Sequence, residues 1–144
     1  MEESNSIETL HGCCYSIAAM LSRHLITIDD LPSVLSTTSK FVLYQIEKNT
    51  ASTTSIIRDS ACYMLWSLVR GYPSSVYAND ITAVLPLLVR LSITDKEINT
   101  RRAASAVIQE IVGRVGADHI PAGIDLINLL NYNSLAQLQN MYVY

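Results

Sequence analysis

The segment Ile57-Arg58-Asp59-Ser60-Ala61 returns as Thr100-Arg101-Arg102-Ala103-Ala104 about 43 residues later, and each copy opens an apolar helical pattern. Self-similarity at that period marks a stack of helical hairpins. One hairpin cannot bury its apolar face alone, so its neighbours must supply the core. The period therefore restricts the chain to an all-α solenoid, and it directs the search for function to a surface more than to a pocket.

The rest of the chain fits hairpins of that size. Ile7, Leu10, Cys14, Ile17, Ala18, Leu21 and Leu25 step by threes and fours and predict a first helix over Ile7–Leu25. Asp29 and Asp30, followed by Leu31-Pro32, open a second helix that should reach about Lys48. The hydroxyl-rich stretch Asn49–Ser55 predicts a loop ending in a cap. A third helix then carries Ile57, Ala61, Met64, Leu65 and Leu68 to about Arg70, where Gly71-Tyr72-Pro73 stops it. Asn79 and Asp80 cap a fourth helix, which holds Pro86 in its interior and should bend there. Asp95-Lys96-Glu97 turns into a fifth helix with Thr100, Ala104, Val107, Ile108 and Ile111, ended by Gly113 and Gly116. A less regular unit follows over Ile120–Tyr144, broken at Asn131-Tyr132-Asn133. The repeat parts are thus 7–25, 30–71, 79–116 and 120–144, about three to four repeats in one solenoid segment.

Aligning Leu10-His11 with Ile57-Arg58 gives a second step of about 47 residues, and both steps fall in the HEAT and armadillo range. The first helix lacks a partner helix, and the chain stops inside an apolar pattern, although terminal repeats need a polar outer face. The expectation is a fragment of a longer solenoid, incomplete at both ends, whose open core surface favours self-association.

Composition narrows the function classes. Hydrophobic residues make up 49% of the chain and charged ones 16%, which is core-forming material and argues against disorder. The net charge of -3 is spread out, with no basic run to neutralise a row of phosphates, so nucleic acid is not an expected partner. No apolar stretch is long enough to span a bilayer, and the opening Met1-Glu2-Glu3-Ser4-Asn5-Ser6 is acidic where a secretory signal would be basic. A cytoplasmic location is expected. Cys13, Cys14 and Cys62 form neither an even set nor a paired zinc pattern, and they are expected as buried reduced thiols.

No catalytic, cofactor-binding or metal-binding residue emerges, and the chain is not expected to be an enzyme. Arg58, Arg101 and Arg102 lack the phosphate loop and metal ligands that phosphoryl transfer requires. Gly113-Arg114-Val115-Gly116 is too short for that loop and ends a helix where a phosphate site would begin one. His11, His24 and His119 show no metal spacing, and no serine sits in a nucleophile-elbow pattern. His11 is read as a helix-entry residue with a hydrogen-bonding role.

The candidate partner surface lies opposite the apolar stripes. Asp59, Tyr63, Trp66 and Arg70 on helix three, with Arg102, Gln109 and Glu110 on helix five, fit a contact face with an aromatic anchor. Packing between repeats is the competing reading for Tyr63 and Trp66, because stacked helices readily bury large aromatics.

Pro86-Leu87-Leu88, Asp95, Arg101 and Ala104 resemble the HEAT unit, with a bent first helix, an acidic turn and an arginine early in the second helix. That resemblance implies repeat-structural roles for Arg58, Pro86, Asp95 and Arg101, with Asp95 and Arg101 as a pair. Ser52 stands where the preceding repeat would carry the acid, so a partner for Arg58 must come from elsewhere.

A closer resemblance runs from about Leu10 to Tyr132. His11-Gly12-Cys13, Ile57-Arg58-Asp59-Ser60-Ala61-Cys62-Tyr63 with Trp66, Asn99-Thr100-Arg101-Arg102-Ala103-Ala104-Ser105-Ala106, Gln109-Glu110 with Val112-Gly113-Arg114, and Gly123-Ile124-Asp125 are similar to the tubulin-folding cofactor D family, in its order and spacing. The resemblance implies a large cytosolic helical-repeat chaperone acting after the chaperonin. Such a protein captures β-tubulin, joins other tubulin cofactors and a small Arf-like GTPase, and serves αβ-tubulin assembly. It promotes GTP hydrolysis by tubulin together with those cofactors and is not itself catalytic. The alternative is a generic HEAT scaffold of the transport or adaptor class.

Overall fold

The computed structural model describes residues 6–44 and 51–131, and of 51–53 the backbone only. Ser6 caps α1 (Ile7–Ser22): its Oγ accepts from the Thr9 N–H at 3.2 Å, which satisfies one of the free donors of a helix start. The helix ends three residues short of Leu25. His24 takes φ 56°, and the N–H groups of His24 and Leu25 fold back onto the Leu21 and Met20 carbonyls. This left-handed stop is usually made by glycine, so the sequence offered no sign of it.

A 3-10 turn over Ile28–Asp30 leads into α2 (Leu31–Val42), with Pro32 in its first turn as expected. Asp30 accepts from the Thr27 hydroxyl at 2.6 Å and caps no backbone N–H. α2 closes at Val42, short of Lys48, and 45–48 lie outside the described residues. α3 (Ala51–Gly71) begins inside the segment expected as a loop. Serine and threonine disfavour helix only weakly, and tertiary contact overrides them here. Thr54 is buried, and its hydroxyl accepts from the Arg58 guanidinium at 2.8 Å.

After a second 3-10 turn, Ser74–Val76, α4 (Ala78–Thr94) starts from Tyr77. Asn79 and Asp80 therefore lie inside the first turn, where the Asp80 charge suits the helix dipole, and neither acts as the cap. α4 continues through Pro86 as one helix. α5 (Ile98–Val115) includes Gly113, and Gly116 ends it alone at φ 77°, a conformation open to glycine at little cost. α6 (Gly123–Leu129) follows, and the expected pattern from Leu135 to Met141 falls outside the described residues.

The helices form two layers. α3 lies between α1 and α5, while α2 and α4 pack on each other and cover α3 and α5 respectively. This is the all-α solenoid of hairpins that the period predicts, and no strand occurs among the described residues. Leu21, Leu65, Leu68, Ile81, Leu88, Ile108 and Ile111 fill the space between the layers, each buried and each contributing roughly 1.5–3 kcal/mol of transfer free energy.

The α1–α3 seam is built from smaller residues, Cys14 and Ala18 against Met64. At its end the two backbones almost touch: a Cβ on Gly71 would sit 2.9 Å from the Leu21 carbonyl oxygen. The Tyr72 hydroxyl then donates to the Ile26 carbonyl at 2.7 Å and ties the α1–α2 connection to the end of α3. Cys14 and Cys62 are buried as expected, but Cys13 is exposed because it falls one position off the seam.

Candidate functional site

α3 presents two sets of polar side chains that behave in opposite ways. The first is centred on Arg58, which is 7% exposed. Its Nε donates to Asp95 Oδ2 at 2.6 Å and its Nη2 to Oδ1 at 3.4 Å. Nη1 reaches the Tyr44 carbonyl at 3.0 Å and the Thr54 hydroxyl at 2.8 Å. The Asp95 carboxylate also accepts the Glu97 N–H at 2.8 Å, which fixes the turn that opens α5.

Asp95 is thus bound by the arginine of the preceding repeat, and the expected Asp95–Arg101 pairing is corrected. Arg101 instead donates from Nη1 to the backbone carbonyls of Asp95 and Lys96, at 2.7 and 3.1 Å. The physical reason is the layering. α3 packs on α5, so its arginine reaches the buried turn, while Arg101 leaves from the first turn of α5 toward carbonyls already beside it. The partner missing for Arg58 is found here, and the constellation is a structural clamp between repeats. A cavity of about 260 Å³ beside it is lined by Tyr44, Arg58, Arg90, Asp95 and Lys96.

The second set lies on the free face of the α1–α3–α5 layer. Residues 59, 63, 66 and 70 step by four, three and four, which places them on one stripe of α3. Tyr63 and Trp66 stack with centroids 6.1 Å apart and planes 19° apart. Tyr15 of α1 lies 5.4 Å from Tyr63, and His11 meets Tyr15 edge-on at 4.8 Å. At the other end the Arg70 guanidinium lies 4.6 Å from the Trp66 ring centroid and 3.7 Å from Glu110 of α5, which also holds Arg114 at 2.6 Å.

A continuous band of rings and charges therefore crosses all three helices. It contains Asp59, Tyr63, Trp66, Arg70 and Glu110 of the expected surface, and Arg102 and Gln109 are exposed on α5. The two aromatics differ in burial. Trp66 packs one side against the core, and Tyr63 remains 41% exposed. His11, Tyr15 and Arg114 join the band unannounced. Tyr15 stands outside the apolar stripe of α1, and that was the available signal.

Beneath the rings runs a groove of about 230 Å³ between α1, α3 and α5. Tyr15, Tyr63 and Trp66 wall it, Cys62 and Val107 form its base, and the short side chains of Ala103 and Ala106 leave it open. Asp59 also lines it. Partial burial raises the Asp59 carboxyl above its usual range, with His11 pulling it back down. Burial pushes the Cys62 thiol far up, and Asp59 and Asp95 add to this, so the sulfur stays protonated and is a poor nucleophile.

Among the described residues no three His, Cys, Asp or Glu side chains gather as metal ligands, and no helix is long and apolar enough to cross a membrane.

Comparison with known proteins adds a sequence-level finding to this geometry. The profile described as tubulin-specific chaperone D-like ARM repeats matches residues 1–124. A protein of Dictyostelium discoideum named tubulin-specific chaperone D is 33% identical over 132 residues, which cover 92% of this chain and 9% of that relative. A Schizosaccharomyces pombe protein named tubulin-folding cofactor D is 32% identical over 132 residues, covering 92% of this chain and 12% of the relative. The chain therefore spans about a tenth of the length of these curated relatives. No solved structure gives a significant match.

Proposed function

This chain belongs to the tubulin-specific chaperone D-like ARM-repeat family, and from that membership we propose that it is a protein-binding scaffold segment that contributes to the capture of β-tubulin. Its role in that reading is non-catalytic and cytoplasmic. It supports post-chaperonin folding and αβ-tubulin assembly alongside other tubulin cofactors and a small Arf-like GTPase, and any effect on GTP hydrolysis acts through tubulin and those partners.

The observation that carries the reading is the band on the α1–α3–α5 face. Exposed Tyr15 and Tyr63 beside the half-buried Trp66 form a preordered aromatic patch, and the charges of Arg70, Glu110 and Arg114 edge it. Aromatic and arginine side chains surrounded by a polar rim supply most of the binding energy at protein interfaces.

The test is retention of β-tubulin on the immobilised chain, beside the Tyr63→Ala variant. Weak but saturable retention that falls roughly tenfold or more in Tyr63→Ala is expected for a hot-spot residue. No retention where a known tubulin chaperone retains β-tubulin would overturn the assignment and leave a generic HEAT scaffold. Retention unchanged by the substitution would remove this face from the interface.

A further inference from the structure

We propose that the groove between α1, α3 and α5 is a socket for an arginine side chain of the partner polypeptide, its guanidinium laid against Tyr63 and Trp66 and turned toward Asp59. This rests on the α1–α3–α5 face being the contact surface, and it specifies the chemistry that surface selects.

Three observations converge. Asp59 lines the groove, is partly buried, and makes no ion pair with any described residue, so that only the longer-range charge of His11 acts on a carboxylate that has lost part of its water. The adjacent walls are aromatic faces, whose negative quadrupole attracts a cation. The Arg70 guanidinium already lies over Trp66 at 4.6 Å, which shows this aromatic pair in contact with a planar cation; with that ring engaged, the incoming guanidinium stacks on Tyr63 and meets Trp66 as the side wall of the groove.

The competing occupants fit less well. An apolar side chain would desolvate the Asp59 carboxylate without pairing it, which is costly. An anion would meet that carboxylate directly. A lysine would satisfy the charge but not the flat aromatic walls, whereas guanidinium is planar, weakly hydrated and able to fork a carboxylate while stacking. Arg70 does not compete for Asp59, because its charge is engaged by Glu110 at 3.7 Å.

Trp66 is the sole tryptophan of the chain, so its fluorescence reports on the groove without labelling. The probe is N-acetyl-arginine methylamide, titrated against its uncharged analogue N-acetyl-citrulline methylamide and the corresponding lysine compound. The arginine compound should give a saturable change, and its apparent affinity should exceed that of the citrulline compound by roughly tenfold, with lysine in between. Asp59→Asn, which keeps the shape, should erase that preference. Ala106→Leu, which fills the groove from α5 and leaves the acid in place, should abolish the response.

No saturable change, equal responses to arginine and citrulline, or full binding by Ala106→Leu would each overturn the socket. Failure of the socket remains distinct from failure of the surface. If the arginine compound does not bind while β-tubulin retention still depends on Tyr63, the face reading stands and only the socket falls.

Discussion

Arg58 and Asp59 are neighbours in sequence and opposites in structure. Arg58 is 7% exposed, and its donors reach Asp95, Tyr44 and Thr54. Asp59, one residue on and therefore about 100° around the helix, faces the groove with no ion pair among the described residues. The first is a charge whose interactions are used up within the chain, and it holds one repeat to the next. The second is a charge left open on a preordered surface. A repeat motif read as a unit hides this division, because one helix turns one of its charges inward and the other toward an open groove.

The largest effect expected from breaking this contrast is on the clamp. Asp95→Ala leaves Arg58 buried without its carboxylate, and removing one member of a buried pair costs about 3–5 kcal/mol. Urea unfolding should show that loss, and the double substitution Arg58→Met with Asp95→Leu should recover part of it, because it removes the unpaired charge but not the loss of the bonds to the Tyr44 carbonyl and the Glu97 N–H. A loss below about 1 kcal/mol would place the clamp among ordinary surface ion pairs.

Next in size is the α1–α3 seam. Gly71→Ala would drive a methyl group to 2.9 Å from the Leu21 carbonyl, and overpacking against rigid backbone costs roughly 1–3 kcal/mol. An unchanged thermal midpoint would mean that α1 is not held as closely as the seam requires.

Asp59 itself supplies the smallest and most diagnostic effect on stability. Burial raises its carboxyl in the folded state, so the folded form binds its proton more tightly than the unfolded form. The resulting stabilisation is complete below the ordinary carboxylate range and is lost as pH rises through the raised value. An asparagine side chain in its place does not ionise and escapes that loss. Asp59→Asn should therefore gain stability over the parent chain as pH rises from acid to neutral. Urea midpoints followed across pH check the sign, and a variant that becomes less stable at neutral pH would show that the charge is used within the fold.

The solenoid, its helices and the stripe of α3 were legible in the sequence because each depends on local periodicity. The partner of Arg58 was not, since Asp95 lies 37 positions away and becomes adjacent only when the repeats stack. The start of α3 was hidden for a related reason. The Thr54 hydroxyl looked like a loop former until the arginine that bonds it was in place. The groove needed three helices at once, with Tyr15 from α1, Asp59 and Trp66 from α3 and the small Ala103 and Ala106 from α5. The stop at His24 was unreadable because a non-glycine residue takes the left-handed position.

The most direct test of the account is the affinity of the Asp59→Asn chain for β-tubulin at neutral pH, with its unfolding midpoint recorded on the same preparation. The account predicts a fold at least as stable as the parent and an affinity roughly tenfold lower, the loss of one desolvated charge contact. Undiminished affinity, or a loss of stability like that of Asp95→Ala, would contradict the division between a charge used in the fold and one held open for a partner.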